Sequence, residues 1–529
     1  MPFATARTVS LHGALGHLID VQADVSPGQV GTTLVGRPDA SLNEARDRCR
    51  MAVINSEMAW PSTKRITILL APADLLKSGT HFDLSIAVSV LAAAGVVPMS
   101  SLTRTAFVGE LTLSGELRSA AGVLPMVLAA AERGIARVFV PEPQAAEASM
   151  VPGMTVIGMR SLAQVVAELC GEEVPEAAPV APLSGSRLLT WRGQERREEI
   201  DLADLVGMVD TRYAVEVAAA GGHHLMLTGP KGSGKTSIAE RIPTILPDLT
   251  GEESIELTAI HSLAGTLEPG SGMLTRPPFS APHHDASKVS IVGGGSGRVS
   301  PGEISRAHSG VLFLDEFPLF RSDVIDALRQ PLESGEISIA RREETVTLPA
   351  RGMVVLACNP CPCGAYHASP AHNDCTCKEV KRRDYRQRIT GPIADRIDIV
   401  RHLTPLRPSH RGVEVEANES SALVRTRVEG ARLRQTVRYA GTGWRVNAHA
   451  PGPVLRERWP LTDRAQGVVD DEVYAGRLSR RGATRVHRVA WTVADLDGRD
   501  RPDLAEVDVA LRLRSGDALL VRTLDRRAG

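Results

Sequence analysis

Eight consecutive residues, Gly229, Pro230, Lys231, Gly232, Ser233, Gly234, Lys235 and Thr236, follow the apolar run "HLML" and precede a helical pattern. Glycines at this spacing let backbone N–H groups turn inward around phosphates, Lys235 can reach the β- and γ-phosphates, and Thr236 can offer a hydroxyl to Mg2+. Downstream, "SGVLFLDEF" is an apolar run ending in two carboxylates. Asp315 suits a Mg2+ site shared with Thr236, and Glu316 suits the base that deprotonates an attacking water. An acidic pair at a strand end is commonly only a solvated turn; beside a complete phosphate loop, ATP hydrolysis is the stronger reading.

A third apolar run, "GMVVLACNP", ends in Asn359, which fits a sensor holding that water opposite Glu316. "GPIADRIDIV" then offers Arg396 as a finger toward the γ-phosphate of a neighbouring subunit, because a guanidinium fork binds phosphate oxygens bidentately. In "GRLSRRGATRVHRVAWTVADL", Arg481 is a candidate second sensor acting within its own subunit, with Arg480 beside it as the alternative. In this order the motifs describe an AAA+ ATPase, and a finger acting between subunits implies a ring.

Five of the seven cysteines fall between Cys358 and Cys377. Cys361, Cys363, Cys375 and Cys377 make two close pairs directly after Asn359, a ligand set for one tetrahedral Zn2+, with His367 or His372 able to replace one ligand. Reduced, unmetallated thiols are the other reading. Cys49, Cys170 and Cys358 are expected in the core.

These residues need elements to hold them. A chain of 529 residues exceeds one hydrophobic core, which predicts roughly two to four domains. Residues 1–172 alternate strand and helix patterns, with "SLNE" placing Ser41 and Glu44 at the spacing of a helix-capping box. Residues 173–188 are rich in Pro, Ala and Glu and read as a linker. Residues 189–408 alternate strands and helices around Gly-rich turns, predicting a parallel α/β sheet with a Cys-rich insertion at 360–380; residues 409–529 read as an Arg-rich helical lid. The longest apolar window, residues 84–99, is broken by serines, Gly95 and Pro98 and falls short of the ~20 residues that span a bilayer. With no signal-peptide pattern at the start, the expectation is a soluble cytoplasmic protein without a membrane partner.

The net charge of −1 excludes a uniformly basic nucleic-acid binder, so any such surface is local. The segment from Lys381 to Arg445 is locally basic. "ISIARREETVTL" alternates as a hairpin with Arg341 and Arg342 at its tip, and Lys288 and Arg298 flank a Gly-rich loop; all four are candidate phosphate contacts on DNA. His283 and His284 adjoin that loop and fit a local structural role.

Across nearly its whole length the chain resembles the ComM/YifB family of magnesium-chelatase-like AAA+ proteins, in "VGRPDASLNEARDRCRMAVINS", "GELTLSGELRSAAGVLP", "SAPHHDAS", "ACNPCPCG" and "LSRRGATRVHRVAWTVADLDG". The resemblance implies a homo-hexameric ATPase that uses ATP and Mg2+ to migrate branched or single-stranded DNA in recombination, and a hairpin before the sensor strand that enters the ring's pore. It also likens the first domain to the α+β peptidase domain of Lon proteases. There the nucleophilic serine's place falls at Asp83 and the lysine's at Pro125, neither of which can do that chemistry; Ser85 and Lys77 remain nearby. The rival readings are a magnesium-chelatase-type ATPase remodelling a metal-insertion partner, and a protease or unfoldase.

Overall fold

The computed structural model describes residues 3–12, 15–181, 200–205, 207–268, 270–295, 299–341, 344–366, 373–391, 393–403 and 418–520. Arg298, Arg342, His367, His372 and residues 182–188 of the expected linker lie outside them.

The N-terminal domain is a seven-stranded mixed sheet. Its strands run, edge to edge, Gly31–Val35, Arg65–Ala71, Leu15–Ser26, Phe3–His12, Thr105–Phe107, Arg137–Pro141 and Thr155–Met159. The long pairing of Phe3–His12 with Leu15–Ser26 is antiparallel and reads in alternation, one face buried and one partly exposed. The apolar window becomes helix Asp83–Ala93, every residue of which is buried. No helix among the described residues is long and apolar enough to cross a membrane. The helix expected at the "SLNE" box starts earlier, at Ala40, because Asp39 takes the cap and accepts the Leu42 N–H at 2.9 Å. Asp39 is itself pinned by its own N–H to the Lys77 carbonyl, so the chain turns before Ser41 arrives.

The second domain is a five-stranded sheet in which every recorded pairing is parallel. Strands β1 (Leu225–Thr228), β2 (Phe279–Ser280), β3 (Val311–Leu314), β4 (Met353–Cys358) and β5 (Ile399–His402) lie in the order β2-β3-β4-β1-β5. β3 and β4 are buried at every position, the reason they appear in sequence as unbroken apolar runs rather than alternating ones. Cys358 ends β4 in the core, and Cys49 is fully buried with its thiol on the Asp83 carbonyl, as expected; Cys170 is only half-buried, its thiol on the Val96 carbonyl.

Helix α1 (Lys235–Ile245) follows β1 directly, and α2 (Gly251–Ala264) opens with a capping box of Thr250 and Glu253. The hairpin Glu336–Arg341/Glu344–Pro349 forms as the alternation predicts, Ile337 opposite Leu348 and Ile339 opposite Val346. Helix α3 (Glu379–Thr390) continues the Cys-rich insertion. The C-terminal region is helical, including α4 (Ser421–Arg438) and α5 (Arg480–Leu496), and its apolar side joins the core cluster of the sheet.

The lid is fastened to the sheet by buried polar groups. Asp398, just before β5, accepts the Arg485 guanidinium of α5 at 2.6 Å and the His224 backbone N–H at 2.9 Å. Arg485 holds that carboxyl well below the usual range despite its burial, and burial depresses His223 and His224 to about 4.

Candidate active site at the ends of the parallel strands

Because all five strands run the same way, their C-terminal ends share one crevice, the usual ligand position in such sheets. β1 delivers the phosphate loop there. Gly234 has φ +86°, a left-handed conformation that a Cβ would strain, and it launches α1 so that Lys235 turns back into the loop. The Lys235 ammonium donates to the carbonyls of Gly229 (2.8 Å) and Pro230 (2.9 Å) and to Asn359 Oδ1 (3.1 Å). Burial pulls Lys235 below the usual lysine range. The Thr236 hydroxyl donates to Asp315 Oδ2 at 3.0 Å. Three motifs scattered over more than a hundred residues therefore meet as read: phosphate loop, acidic pair and Asn359 on β1, β3 and β4.

Thr236 and Asp315, touching, can present two oxygens to one Mg2+, which prefers oxygen ligands at about 2.1 Å. Glu316 follows with φ +49°, rare for a residue with a side chain and a sign of local strain held by its surroundings. Its N–H donates to Asp315 Oδ1 at 2.8 Å, and His284 Nδ1 lies 3.8 Å from its carboxylate. Sequence reasoning gave His284 only a local role, and no spacing rule pairs it with Glu316.

The four cysteines do converge. Cys361 Sγ lies 3.2 Å from Cys363 Sγ and 3.5 Å from Cys375 Sγ, Cys363 and Cys375 are 3.6 Å apart, and all four sulfurs fall within 4.8 Å of one another. A tetrahedral metal with bonds of about 2.3 Å needs sulfurs about 3.8 Å apart, so the set fits Zn2+. The Ala365 N–H draws the Cys363 thiol down to about 6, whereas burial pushes Cys361 up to about 12. This cluster leans on the phosphate loop: a Cβ on Gly364 would meet the Lys231 side chain at 2.8 Å.

The two arginines sit elsewhere. Arg396 Nη2 is 2.8 Å from Glu333 Oε2, and Arg481 Nη2 is 3.5 Å from Glu333 Oε1. Arg396 precedes Asp398 and β5, so this trio lies at the N-terminal ends of the strands; β1 alone, at about 3.3 Å per residue, puts ~10 Å between those ends and the phosphate loop. Arg481, expected as a second sensor, shares a carboxylate with Arg396 at that end of the sheet. Of the adjacent pair, Arg481 rather than Arg480 makes this contact. Glu333, the residue joining them, carried no signal in the sequence.

Lys288 is exposed at the start of a short helix capped by Ser287, and Arg341 ends the first hairpin strand. In the first domain, Asp83 is buried and takes a bidentate contact from Arg48 (2.9 and 3.0 Å). Burial raises its carboxyl to about 6, still ionised at neutral pH. Pro125 is buried in helix Val123–Glu132. Ser85 donates to the Phe82 carbonyl and Lys77 to that of Pro72, so no serine–lysine pair forms among the described residues.

The chain matches known families along most of its length. The family described as magnesium chelatase, subunit ChlI, matches residues 201–410, that of subunit ChlI of Mg-chelatase matches 21–144, and that of the ChlI C-terminal region matches 418–514. The chain is 38% identical to competence protein ComM of Haemophilus influenzae over 96% of this chain and 97% of that protein. It is also 38% identical to the protein YifB of Escherichia coli, over 98% and 99%.

The chain belongs to the ComM/YifB family of magnesium-chelatase-like proteins.

A more distant likeness, 24% identity to the magnesium-chelatase 38 kDa subunit of Rhodobacter capsulatus, covers 32% of this chain and 52% of that subunit. Membership in this family suggests an AAA+ ATPase that uses ATP and Mg2+.

Proposed function

We propose that this ComM/YifB-family protein is an ATP-driven AAA+ ring motor, a homo-hexamer acting in the cytoplasm on single-stranded or branched DNA, with branch migration of recombination intermediates as its reaction. One observation carries the motor reading: a phosphate loop, an acidic pair and a polar sensor on neighbouring parallel strands, joined by the Lys235–Asn359 and Thr236–Asp315 contacts. DNA as the substrate is supported by the full-length likeness to a protein named for competence and by a partial likeness, 26% over 165 residues, to DNA repair protein RadA of Listeria monocytogenes.

In this reading Lys235 leaves its loop carbonyls for the β- and γ-phosphates, and Thr236 and Asp315 hold Mg2+, which screens phosphate charge. Glu316 accepts the proton of a water oriented by Asn359. Arg396 and Arg481 face the γ-phosphate bound by a neighbouring subunit. Opposite placement within one chain becomes adjacency around a ring. Arg341 and Arg342 at the hairpin, with Lys288 and Arg298, contact DNA phosphates. Cys361, Cys363, Cys375 and Cys377 hold one structural Zn2+, which stiffens the insertion between Asn359 and Arg396. The domain at 1–172 is a Lon-like scaffold without a dyad, followed by the linker 173–188, the core 189–408 and the lid 409–529.

The alternative is a chelatase-type ATPase remodelling a metal-insertion partner, favoured by the family descriptions matched along the chain. ATPase rates measured with no DNA, single strands, duplex and a four-way junction separate the two. Stimulation by strands or junctions supports the motor; rates indifferent to every DNA would overturn it.

A further inference from the structure

Helix α3 is hard to explain as part of the core. Only Tyr385 of its twelve residues is buried. From Lys378 to Arg388 it carries Lys378, Lys381, Arg382, Arg383, Arg386 and Arg388 against Glu379 and Asp384. Arg382 pairs with Glu379, and Arg388 donates to the Pro318 carbonyl at 2.8 Å. Lys378, Lys381, Arg383 and Arg386 are exposed and make no recorded ion pair among the described residues. Arg382 and Arg386, one helical turn apart, both lie over the ring of Tyr366, at 4.7 and 4.5 Å from its centroid. An aromatic ring beside a row of cations is the composition of surfaces that track a nucleic-acid strand.

Where this helix sits matters as much as its charge. The cysteine cluster joins it to β4 through Cys361 and Cys363, with Cys375 and Cys377 just ahead of its first turn. Tyr385, the buried residue of the helix, lies beside the Asn359 backbone. Arg388 grips Pro318, two residues after Glu316. The helix is thus held beside both Asn359 and Glu316 while Lys381, Arg383 and Arg386 stay exposed. A neighbouring copy is a poor occupant, because the face it would bring to the phosphate loop carries Arg396, Arg480 and Arg481, cations meeting cations.

We propose that α3, with Lys381, Arg383, Arg386 and the ring of Tyr366, is a second contact for the phosphate backbone of a nucleic-acid strand, placed so that strand binding bears directly on Asn359 and Glu316. This rests on DNA being the substrate and adds a site separate from the hairpin. The contact is to phosphates and carries no sequence preference.

The test uses the full-length protein with a non-hydrolysable ATP analogue and a fluorescein-labelled single strand, following anisotropy across a salt series. The variants are Lys381→Ala/Arg383→Ala/Arg386→Ala and the hairpin pair Arg341→Ala/Arg342→Ala. Three lost phosphate contacts should flatten the log–log salt dependence by ~2, at about 0.7 per contact on single strands, over and above any hairpin effect. Arg383→Lys/Arg386→Lys should keep the slope, since a point charge suffices. If the triple variant melts early, Arg383→Ala alone should still lose about 0.7. Wild-type binding with an unchanged slope in the triple variant would overturn the proposal and leave the DNA reading standing; no binding by wild type would overturn both. A raised KM for ATP, or lost ring assembly, with the slope intact would assign these cations to nucleotide or to a second copy and equally overturn it.

Discussion

Glu333→Gln isolates what the carboxylate shared by Arg396 and Arg481 does. The side chain is 52% exposed, against 13% for Arg396 and 61% for Arg481, so neither pair is deeply desolvated. A half-exposed ion pair at 2.8 Å is worth ~0.5–1 kcal/mol and the looser 3.5 Å contact less, giving about 1 kcal/mol in all. If Arg396 must leave Glu333 to meet a neighbour's γ-phosphate, that energy is present before the transition state and absent in it. Glutamine keeps the shape and removes the charge, so the barrier should fall by about 1 kcal/mol and turnover should rise about fivefold. Arg396→Ala, by contrast, should lose ~10³-fold, as arginine fingers do. The assay is steady-state ATP hydrolysis in preparations whose ring state is verified by light scattering. A loss of about tenfold or more by Glu333→Gln in intact rings would refute the reasoning, because it would mean that Glu333 aims the finger rather than restrains it.

Lys235→Ala should abolish ATP binding, whereas Glu316→Gln should bind ATP and fail to turn it over, since an amide cannot take the proton of water; equal loss of binding in equilibrium dialysis would contradict this division. Replacing Arg341 and Arg342 with Ala should weaken DNA binding and flatten its salt dependence by up to ~2 in log–log slope. Protein purified without chelators should carry about one zinc per chain by metal analysis, and Ser at Cys361, Cys363, Cys375 or Cys377, but not at Cys358, should lower it. His308 first, and then Arg445, hold Glu256 near 2. A depressed carboxyl stabilises the fold fully above its ordinary range near 4.5 and loses that contribution as pH falls through about 2. Because Glu256 is 42% exposed, the nominal effect shrinks to ~1 kcal/mol; urea unfolding of Glu256→Gln should show that deficit at pH 7 and a narrowing gap below pH 4.5.

The catalytic crevice was legible because each of its parts announces itself locally. A buried parallel strand must be a continuous apolar run, and a polar residue at its end must face the crevice, so Asp315, Glu316 and Asn359 could be named without knowing the strand order. The convergence of the cysteines was legible for the same reason, four thiols in two tight pairs. The Glu333 contacts were not. They depend on which helix returns to which end of the sheet, which no local pattern in the sequence states. Ser41 misled in a smaller way: "SLNE" matches a capping box, but Asp39 was already fixed by the Lys77 carbonyl, a contact from a distant segment. Asp398 and Arg485, which lock lid to core, likewise lie 87 residues apart and follow no motif.

In the motor proposed above, the crevice and the hairpin are joined by one strand. β4 carries Asn359 just past its C-terminal end. Near its other end the Ala350 N–H donates to the Gly335 carbonyl at the base of the hairpin. Six buried residues at about 3.3 Å each make a rod of ~20 Å packed on both faces. In the motor proposed above, a displacement of Asn359 on γ-phosphate loss would be carried along β4 toward the hairpin. The surroundings give that rod a fixed frame. Helix α2 is clamped to the first domain, where Ser262 meets Glu147 and the Gly122 N–H reaches the Ser262 carbonyl. It is also clamped to the lid, where Arg445 reaches Glu256 at 3.1 Å. The hairpin belongs to the same frame: Ile337, Val346 and Leu348 are buried in the core cluster that also holds Phe317 and Leu356.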